Sequence, residues 1–182
     1  VDATDNRTLS EAIGSMRDFT LRIGEFYRSY VPGYEKAYVL QIADNIGVRE
    51  TRRVVGEYML TGEDVLEARS FEDSIGYCGA TVDVHNIDGS QVTRMSAIRE
   101  GKLYQIPFRI LLPEKIDGLL VAGRCVSADR VACGSIRQQA GCIVTGQAAG
   151  VAAALAADEG VEARHLPIGA IQQALKAQGA QI

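Results

Sequence analysis

The sequence predicts a chain of mixed α+β and α/β class, and three features of its 182 residues indicate this. A helical apolar pattern fills residues 8–30, and short alternating or β-branched runs follow between residues 36 and 113. An apolar run at 118–123 then leads through a loop into a long uncharged helix. Because strand-and-loop composition gives way to a strand–loop–helix unit, we predict two domains, 1–103 and 104–182.

The first predicted element is a helix from Thr8 to Tyr30. Its apolar residues recur at steps of three and four, which places them on one stripe. They are Leu9, Ala12, Ile13, Met16, Phe19, Ile23, Phe26, Tyr27 and Tyr30. Thr8 and Glu11 have capping-box spacing, and Pro32 with Gly33 ends the helix.

The middle of the chain reads as strands with one short helix. Alternation at 36–43 and a β-branched, aromatic run at 51–60 predict two strands, although a helix competes for the first. Thr61, followed by acids, predicts a short helix over 61–68. Residues 76–86 predict a strand that leads to a turn, and residues 102–113 predict an extended segment interrupted by Pro107.

The C-terminal third contains the most apolar elements. Residues 118–123 (GLLVAG) lack a polar face, as a strand buried on both sides does. After a loop we expect a helix from Ser135 through residue 157, and a last amphipathic helix over 168–178. Residues 141–157 carry no charge, which is the lower edge of a membrane-spanning length. Polar glutamines and the lack of a basic flank argue against a span, so we predict no membrane partner.

The start of the long helix carries a chemical signal. Gly134 and Ser135 form a good cap, which would leave the amides of Ile136, Arg137 and Gln138 free. The helix dipole favours acids at this end, so Arg137 is electrostatically misplaced there. An anion or a developing negative charge would be its missing partner, and a solvated arginine is the alternative.

The same helix carries a ridge of small residues. At four-residue spacing this ridge contains Cys142, Gly146, Gly150 and Ala154. Two glycines inside a helix cost about 1 kcal/mol each relative to alanine, so they need a packing reason. We therefore expect the ridge to pack closely against a sheet.

Composition excludes several classes of partner. A net charge of -4 and a pI near 5.2, with mixed rather than clustered charges, argue against nucleic acid. Cys78, Cys125, Cys133 and Cys142 include no C-x-x-C pair and only two histidines accompany them, so we expect no metal site.

No signal peptide is visible at the N-terminus. We expect reduced thiols in a cytoplasmic protein, with disulfides left open.

Three stretches resemble one known family. Residues 104–156, 46–65 (IGVRETRRVVGEYMLTGEDV) and 71–86 (FEDSIGYCGATVDVHN) are similar to the C-terminal and middle parts of FAD-dependent oxidoreductases of the glutathione-reductase-like two-domain class. The resemblance implies that substrate-domain strands and helices are followed by the returning strand–loop–helix of a Rossmann-like FAD domain. In that class the flavin is held between two separated pieces of chain.

The resemblance also implies which residues meet FAD. The helix from Ser135 would face the flavin pyrimidine ring, and Arg137 would stabilise the negative charge of the reduced flavin. The implied cofactor-binding residues are Gly123, Arg124, Cys125, Gly134, Ser135, Ile136 and Arg137. The sequence departs from the class in two respects: it has no GxGxxG, so the N-terminal dinucleotide-binding half is absent, and Arg124 replaces the acid that often follows the strand glycine.

Other candidate residues each have a structural alternative. His85 is a candidate general acid or base, or else a surface histidine. Arg52 and Arg109 are candidate substrate clamps, or else members of ion-pair networks. Cys125 and Cys133 flank the loop before the long helix and either pack inertly or form a redox pair.

The combined expectation is the C-terminal fragment of a flavin-dependent oxidoreductase. Hydride would pass between a small-molecule substrate and FAD in the full-length protein, with His85 and Arg137 as the catalytic candidates. The isolated chain should be inactive and should bind FAD weakly or not at all. The alternative is a non-enzymatic module that binds a partner or dimerises through the helix ridge, and a homo-oligomer is left open in either case.

Overall fold

A computed structural model of the chain describes residues 1–84, the backbone of 94–96, residue 98 and residues 101–182. These residues form two compact units, Val1–Thr51 and Arg52–Ile182. The domain boundary that the sequence predicts near residue 103 stays a prediction.

Unit 1 is built on a 25-residue helix, α1, Asn6–Tyr30. The predicted cap at Thr8 is wrong, because the carboxylate of Asp5 accepts the amides of Arg7 at 3.1 Å and Thr8 at 3.4 Å. The helix therefore starts two residues earlier than expected. It ends where the Val31 amide still donates to the Tyr27 carbonyl, just before Pro32.

The rest of unit 1 lies along α1 without forming a strand or a helix. The strand predicted at 36–43 is wrong, since this segment has no ladder partner in the described chain. Its side chains pack on α1 instead: a Cβ at Gly24 would lie 2.9 Å from a Val39 methyl, and Arg17 donates to the Asp44 carbonyl at 3.0 Å. The β-forming residues of this segment do not by themselves provide a neighbouring strand, so the segment packs on the helix instead of joining a sheet.

Unit 2 begins with an irregular segment. The strand predicted at 51–60 is wrong, because only isolated bridges form, from Gly56 to Pro113 and from Leu60 to Ala128. The short helix that follows is confirmed as α2, Gly62–Leu66, with a complete capping box. In that box the Asp64 carboxylate accepts a hydrogen bond from the Thr61 amide at 2.9 Å, and the Asp64 amide donates to the Thr61 hydroxyl at 3.2 Å.

Two small antiparallel sheets follow. The first pairs β1, Ser74–Cys78, with β4, Tyr104–Pro107, and the second pairs β2, Val82–Val84, with β3, Arg94–Ser96. The single strand expected over 76–86 is thus two strands that belong to different sheets. The segment after Pro107 turns into a 3-10 helix, Phe108–Leu111. The turn expected at 86–91 lies outside the described residues.

The apolar run at 118–123 is not the buried strand that its sequence predicts. Within the described residues its backbone makes one hydrogen bond of the kind that joins strands, from the Val121 amide to the Leu111 carbonyl at 2.9 Å. Leu119 is 45% exposed, so the segment is not buried on both sides. A strand in the middle of a sheet needs a hydrogen-bonded neighbour on each side. The described part of the chain supplies no such neighbour beyond this one hydrogen bond, so the segment does not form a strand.

The long helix predicted from Ser135 is divided in two, so its predicted start is wrong. α3 covers Arg130–Ile136, and α4 covers Gln139–Glu159. At the corner Gly141 lies so close to Ile136 that a Cβ there would be 2.1 Å from the Ile136 carbonyl oxygen. The last helix is confirmed as α5, Ile168–Ala177.

The core of unit 2 lies between the β1–β4 pair and the C-terminal helices. Its largest fully buried side chains include Tyr104, Leu60, Ile75, Ile106, Ile110, Leu111, Ile136, Ile171 and Leu175. α4 turns one face to this core, with Gly141, Thr145, Ala148, Val151 and Ala152 buried. The helix thus anchors the C-terminal part of the unit.

The other face of α4 is open, which overturns the expected close packing of its small-residue ridge. A Cβ at Gly146 or Gly150 would meet nothing within 4 Å, and Ile143 is 69% exposed. In the described chain α4 is a helix long and apolar enough to cross a membrane by length and composition, with a mean hydropathy of 1.6. The absence of a membrane partner stays a prediction.

Candidate functional site

The candidate site is the first turn of α4 together with the 3-10 turn Gly123–Cys125 that packs on it. Gly123 has a φ of 73°, which favours glycine, and its amide donates to the Thr145 hydroxyl at 3.0 Å. That hydroxyl in turn donates to the Gly141 carbonyl at 2.8 Å. Thr145 therefore joins the turn to the helix. A lone buried threonine in an apolar helix is the sequence signal that could have identified it.

The first turn of α4 presents backbone donors. The amides of Gln139, Ala140 and Gly141 precede the first intrahelical bond, which runs from the Cys142 amide to the Gln138 carbonyl at 3.0 Å. Gln138 occupies the cap position but its side chain makes no capping bond. In the described part of the chain no acceptor meets these three amides, but Gly141 is buried against the Ile136 carbonyl, whereas Gln139 and Ala140 are exposed. The accessible donors at the positive end of the helix dipole are therefore the amides of Gln139 and Ala140.

The side chain of Gln138 fixes the corner instead of capping the helix. Its Nε2 donates to the Thr81 carbonyl at 2.6 Å and to the Gly134 carbonyl at 3.2 Å. Sequence reasoning missed this residue, because a glutamine gives no local signal of a contact with residues more than fifty positions away. The contact leaves the helix donors of α4 uncovered.

Arg137 lies at the end of α3, so its predicted place in the first turn of a helix with free amides is wrong. The Arg137 amide donates to the Cys133 carbonyl at 3.3 Å, and the Gln138 amide donates to the Ser135 carbonyl at 3.1 Å. The guanidinium donates to the Asp83 carbonyl at 2.7 Å and lies 3.7 Å from the Asp83 carboxylate. A cation is electrostatically favoured at a helix C-terminus, which explains the arginine at this position.

Gly134, Ser135 and Ile136 are buried in the packing of α3. Ser135 bonds with the Tyr104 hydroxyl at 3.0 Å and donates to the Ala80 carbonyl. A Cβ at Gly134 would lie 3.0 Å from the Asp83 carbonyl oxygen, so only glycine fits the close approach of α3 to β2. These buried residues hold α3, and so the corner before α4, in place. Their contact with a cofactor stays a prediction.

The thiols near the site are reduced. None of the four cysteines, all of which lie in the described part, forms a disulfide. The Cys142 thiol donates to the Arg137 carbonyl at 3.1 Å. Burial, and after it the neighbouring Cys78, raises the pKa of Cys142, while the positive charge of Arg124 opposes the rise. Cys142 therefore remains a neutral thiol near neutral pH.

The remaining predicted site residues are not brought to this turn by any described contact. Arg109 forms a two-point pair with Asp73, at 2.9 Å and 3.2 Å, and its guanidinium lies 5.0 Å from the Tyr58 ring centre. Arg52 is exposed in the irregular start of unit 2. His85 lies outside the described residues. The substrate and catalytic roles of these three residues stay predictions.

The arrangement is suited to binding negative charge. The amides of Gln139 and Ala140 supply donors, and the exposed Arg124 lies in the adjoining turn, close enough to Cys142 to influence its pKa. Among the described residues no group of three His, Cys, Asp or Glu side chains could hold a metal ion. The residues of the turn therefore fit the edge of an anionic or polarisable cofactor.

Comparison with known proteins agrees with this chemistry. The sequence profile of the family described as FAD dependent oxidoreductase matches residues 1–175. No individual curated protein and no solved structure matches the chain. Since the matched region spans nearly all 182 residues, the chain belongs to the FAD-dependent oxidoreductase family.

Proposed function

We propose that this chain is the part of a flavin-dependent oxidoreductase that closes the FAD site, with the first turn of α4 directed at the pyrimidine edge of the flavin. The observation that carries the proposal is the pair of amides at the exposed residues Gln139 and Ala140, which meet no acceptor in the described chain, next to the Gly123–Cys125 turn. The family match over residues 1–175 supports FAD as the cofactor of the full-length protein.

When bound, FAD supplies a hydride acceptor and donor for a small-molecule substrate. This chain's own contribution is electrostatic. The α4 amides would hold negative charge without reorganising, because Arg137 ties the α3–α4 corner to β2 and Gln138 ties it to Thr81, just before β2. The neutral Cys142 thiol adds no competing anion at the site. Arg124 adds a positive charge at the exposed side of the turn.

The open face of α4 supports a larger assembly around the site. A helix that is apolar on all sides is normally buried, yet the α4 face with Ile143, Gly146 and Gly150 is covered by nothing in the described chain. Residues 118–120 line a cavity together with Ala149 and Ala153 of α4, and they have no strand partner in the described chain. Both features agree with a flavoprotein whose dinucleotide-binding half, with its GxGxxG, is a separate piece of sequence.

The test compares this chain with a longer protein that also carries an in-frame strand–GxGxxG–helix. Fluorescence titration should show weak or no FAD binding to the chain alone, and flavin absorbance should show about one FAD per longer protein. Stoichiometric FAD on the isolated chain would contradict the division of the site. A longer protein that folds but takes up no flavin would contradict the function itself.

A second test concerns Arg124, the positive charge beside the amides. In the longer protein Arg124→Met should weaken FAD binding, whereas Lys115→Met, an exposed cation in a turn outside the site, should leave it unchanged. Equal FAD dissociation constants for the two variants would remove Arg124 from the site.

A further inference from the structure

We infer that α1 pairs with the α1 of a second copy of this chain, through a seam that the flavin function does not use. Apolar residues follow α1 at alternating steps of three and four along its whole length. The positions are Leu9, Ala12, Met16, Phe19, Ile23, Phe26 and Tyr30. This is a heptad pattern with an average spacing of 3.5 residues, which is typical of helices that pair with helices.

The larger residues of this seam are exposed. The exposed fractions are 52% for Met16, 57% for Phe19, 40% for Ile23, 54% for Phe26 and 73% for Tyr30. No residue of α1 is buried. The segment after α1 lies mainly on a neighbouring face, where Tyr27 contacts Tyr34, and its residues 41–47 reach the seam only at Ala12 and Met16. Unit 1 therefore leaves the seam open from Phe19 to Tyr30.

The area of the seam suits a dimer. Aromatic side chains bury about 150–250 Å² each, so five large side chains that are roughly half exposed offer on the order of 500 Å² per copy. Two copies would bury about 1,000 Å², which is the lower limit for a specific interface. Phe26 and Tyr30 already contact each other, with ring centres 5.1 Å apart, so part of the surface is ordered before pairing.

The charges that flank the seam permit two copies to approach. α1 carries four arginines and three acids, so its net charge is small. Two of these arginines are paired within the helix, Arg7 with Glu11 at 3.2 Å and Arg22 with Asp18 at 2.5 Å. Like-charge repulsion, which would oppose self-association, is therefore weak.

Sedimentation of the 182-residue chain over a range of concentrations tests the pairing. We expect a species of twice the 19.6 kDa chain mass. Phe19→Glu combined with Phe26→Glu should raise the dimer dissociation constant at least about 100-fold, since central aromatic residues dominate interfaces. Leu21→Glu is the matched control, because Leu21 is 51% exposed but lies off the seam, and it should leave the dimer intact.

A cysteine variant tests the same contact without placing a charge in the seam. Ile23 faces its own copy in a parallel pair in register, and also in an antiparallel pair centred on the exposed large residues from Met16 to Tyr30. Ile23→Cys should form a disulfide-linked dimer on oxidation, and wild type and Leu21→Cys should not. A wild-type chain that is monomeric at every concentration overturns the inference. So does a dimer that survives the double glutamate substitution. Neither result depends on FAD, so the flavin function is judged separately.

Discussion

At the scale of single residues, the α3–α4 corner depends on a missing side chain. Gly141 lies against the Ile136 carbonyl, where a Cβ would be 2.1 Å from the oxygen. Gly141→Ala should lower the free energy of unfolding by about 1–3 kcal/mol, because backbone must move to admit the methyl group. Gly146→Ala is the control, since the space at Gly146 is open and alanine should raise that free energy by up to about 1 kcal/mol. Urea unfolding of both variants measures the difference, and equal effects would contradict the close contact.

A second residue prediction concerns Asp64. Burial alone would raise the pKa of this carboxyl, but hydrogen bonds from the Thr61 amide and the Tyr58 hydroxyl, with the charge of Arg69 at 2.6 Å, bring it below the ordinary 3.8. A carboxylate whose pKa is depressed on folding contributes stability above its unfolded pKa, and this is lost as the pH falls through the folded pKa.

Asp64→Asn should therefore destabilise the protein near neutral pH by about 1–3 kcal/mol, and the gap to wild type should narrow once the pH falls below 3.8. Denaturant unfolding at several pH values measures the gap. Asp158→Asn, at an exposed carboxylate near the end of α4, is the control and should change the stability little. A gap that stays constant with pH would mean that the charge of Asp64 contributes nothing.

At the scale of elements, prediction succeeded where the signal is local. The three- and four-residue spacing of α1 and the Thr61 capping box of α2 depend on residues within a few positions of each other, and both helices are confirmed. The strands expected at 36–43 and 118–123 failed because a strand is defined by its neighbour, which lies elsewhere in sequence. The corner at Arg137 was missed for the same reason, since its partners are in β2.

That corner gives a prediction for an element junction. Arg137→Met keeps the aliphatic stem but removes the guanidinium that donates to the Asp83 carbonyl at 2.7 Å. The Asp83 carbonyl then loses its hydrogen-bond donor, so the free energy of unfolding should fall by about 1–3 kcal/mol. Lys115→Met, at an exposed turn, should change it little. Thermal and urea unfolding measure both variants, and similar results for the two would show that Arg137 does not secure the corner.

At the scale of the whole molecule, the two open apolar surfaces have different explanations. The seam of α1 has the 3.5-residue spacing of a paired helix, whereas the open face of α4 is made of small residues that permit close approach of another backbone. The function that we propose would cover the second surface with a dinucleotide-binding half, and it gives no role to the first. Substitutions on the two faces should therefore affect different properties.

The open face of α4 should give opposite results in the two forms of the protein. Ile143 is 69% exposed in the chain, so Ile143→Asp should leave the unfolding free energy of the chain within about 0.5 kcal/mol of wild type, as surface substitutions do. In the longer protein the same residue should be covered by the dinucleotide-binding half, where an unpaired carboxylate is costly. Flavin content, measured by absorbance, should then fall there.

Val55→Asp is the matched control for this pair of measurements, because Val55 is 71% exposed and lies outside α4. It should leave both the stability of the chain and the flavin content of the longer protein unchanged. If Ile143→Asp also leaves flavin content unchanged, the open face of α4 is not where the two halves meet. If it destabilises the isolated chain instead, Ile143 is covered within unit 2 and the face is not open. The combination of an unaffected chain and a flavin-poor longer protein is the result expected of a helix that completes a flavin site from one side.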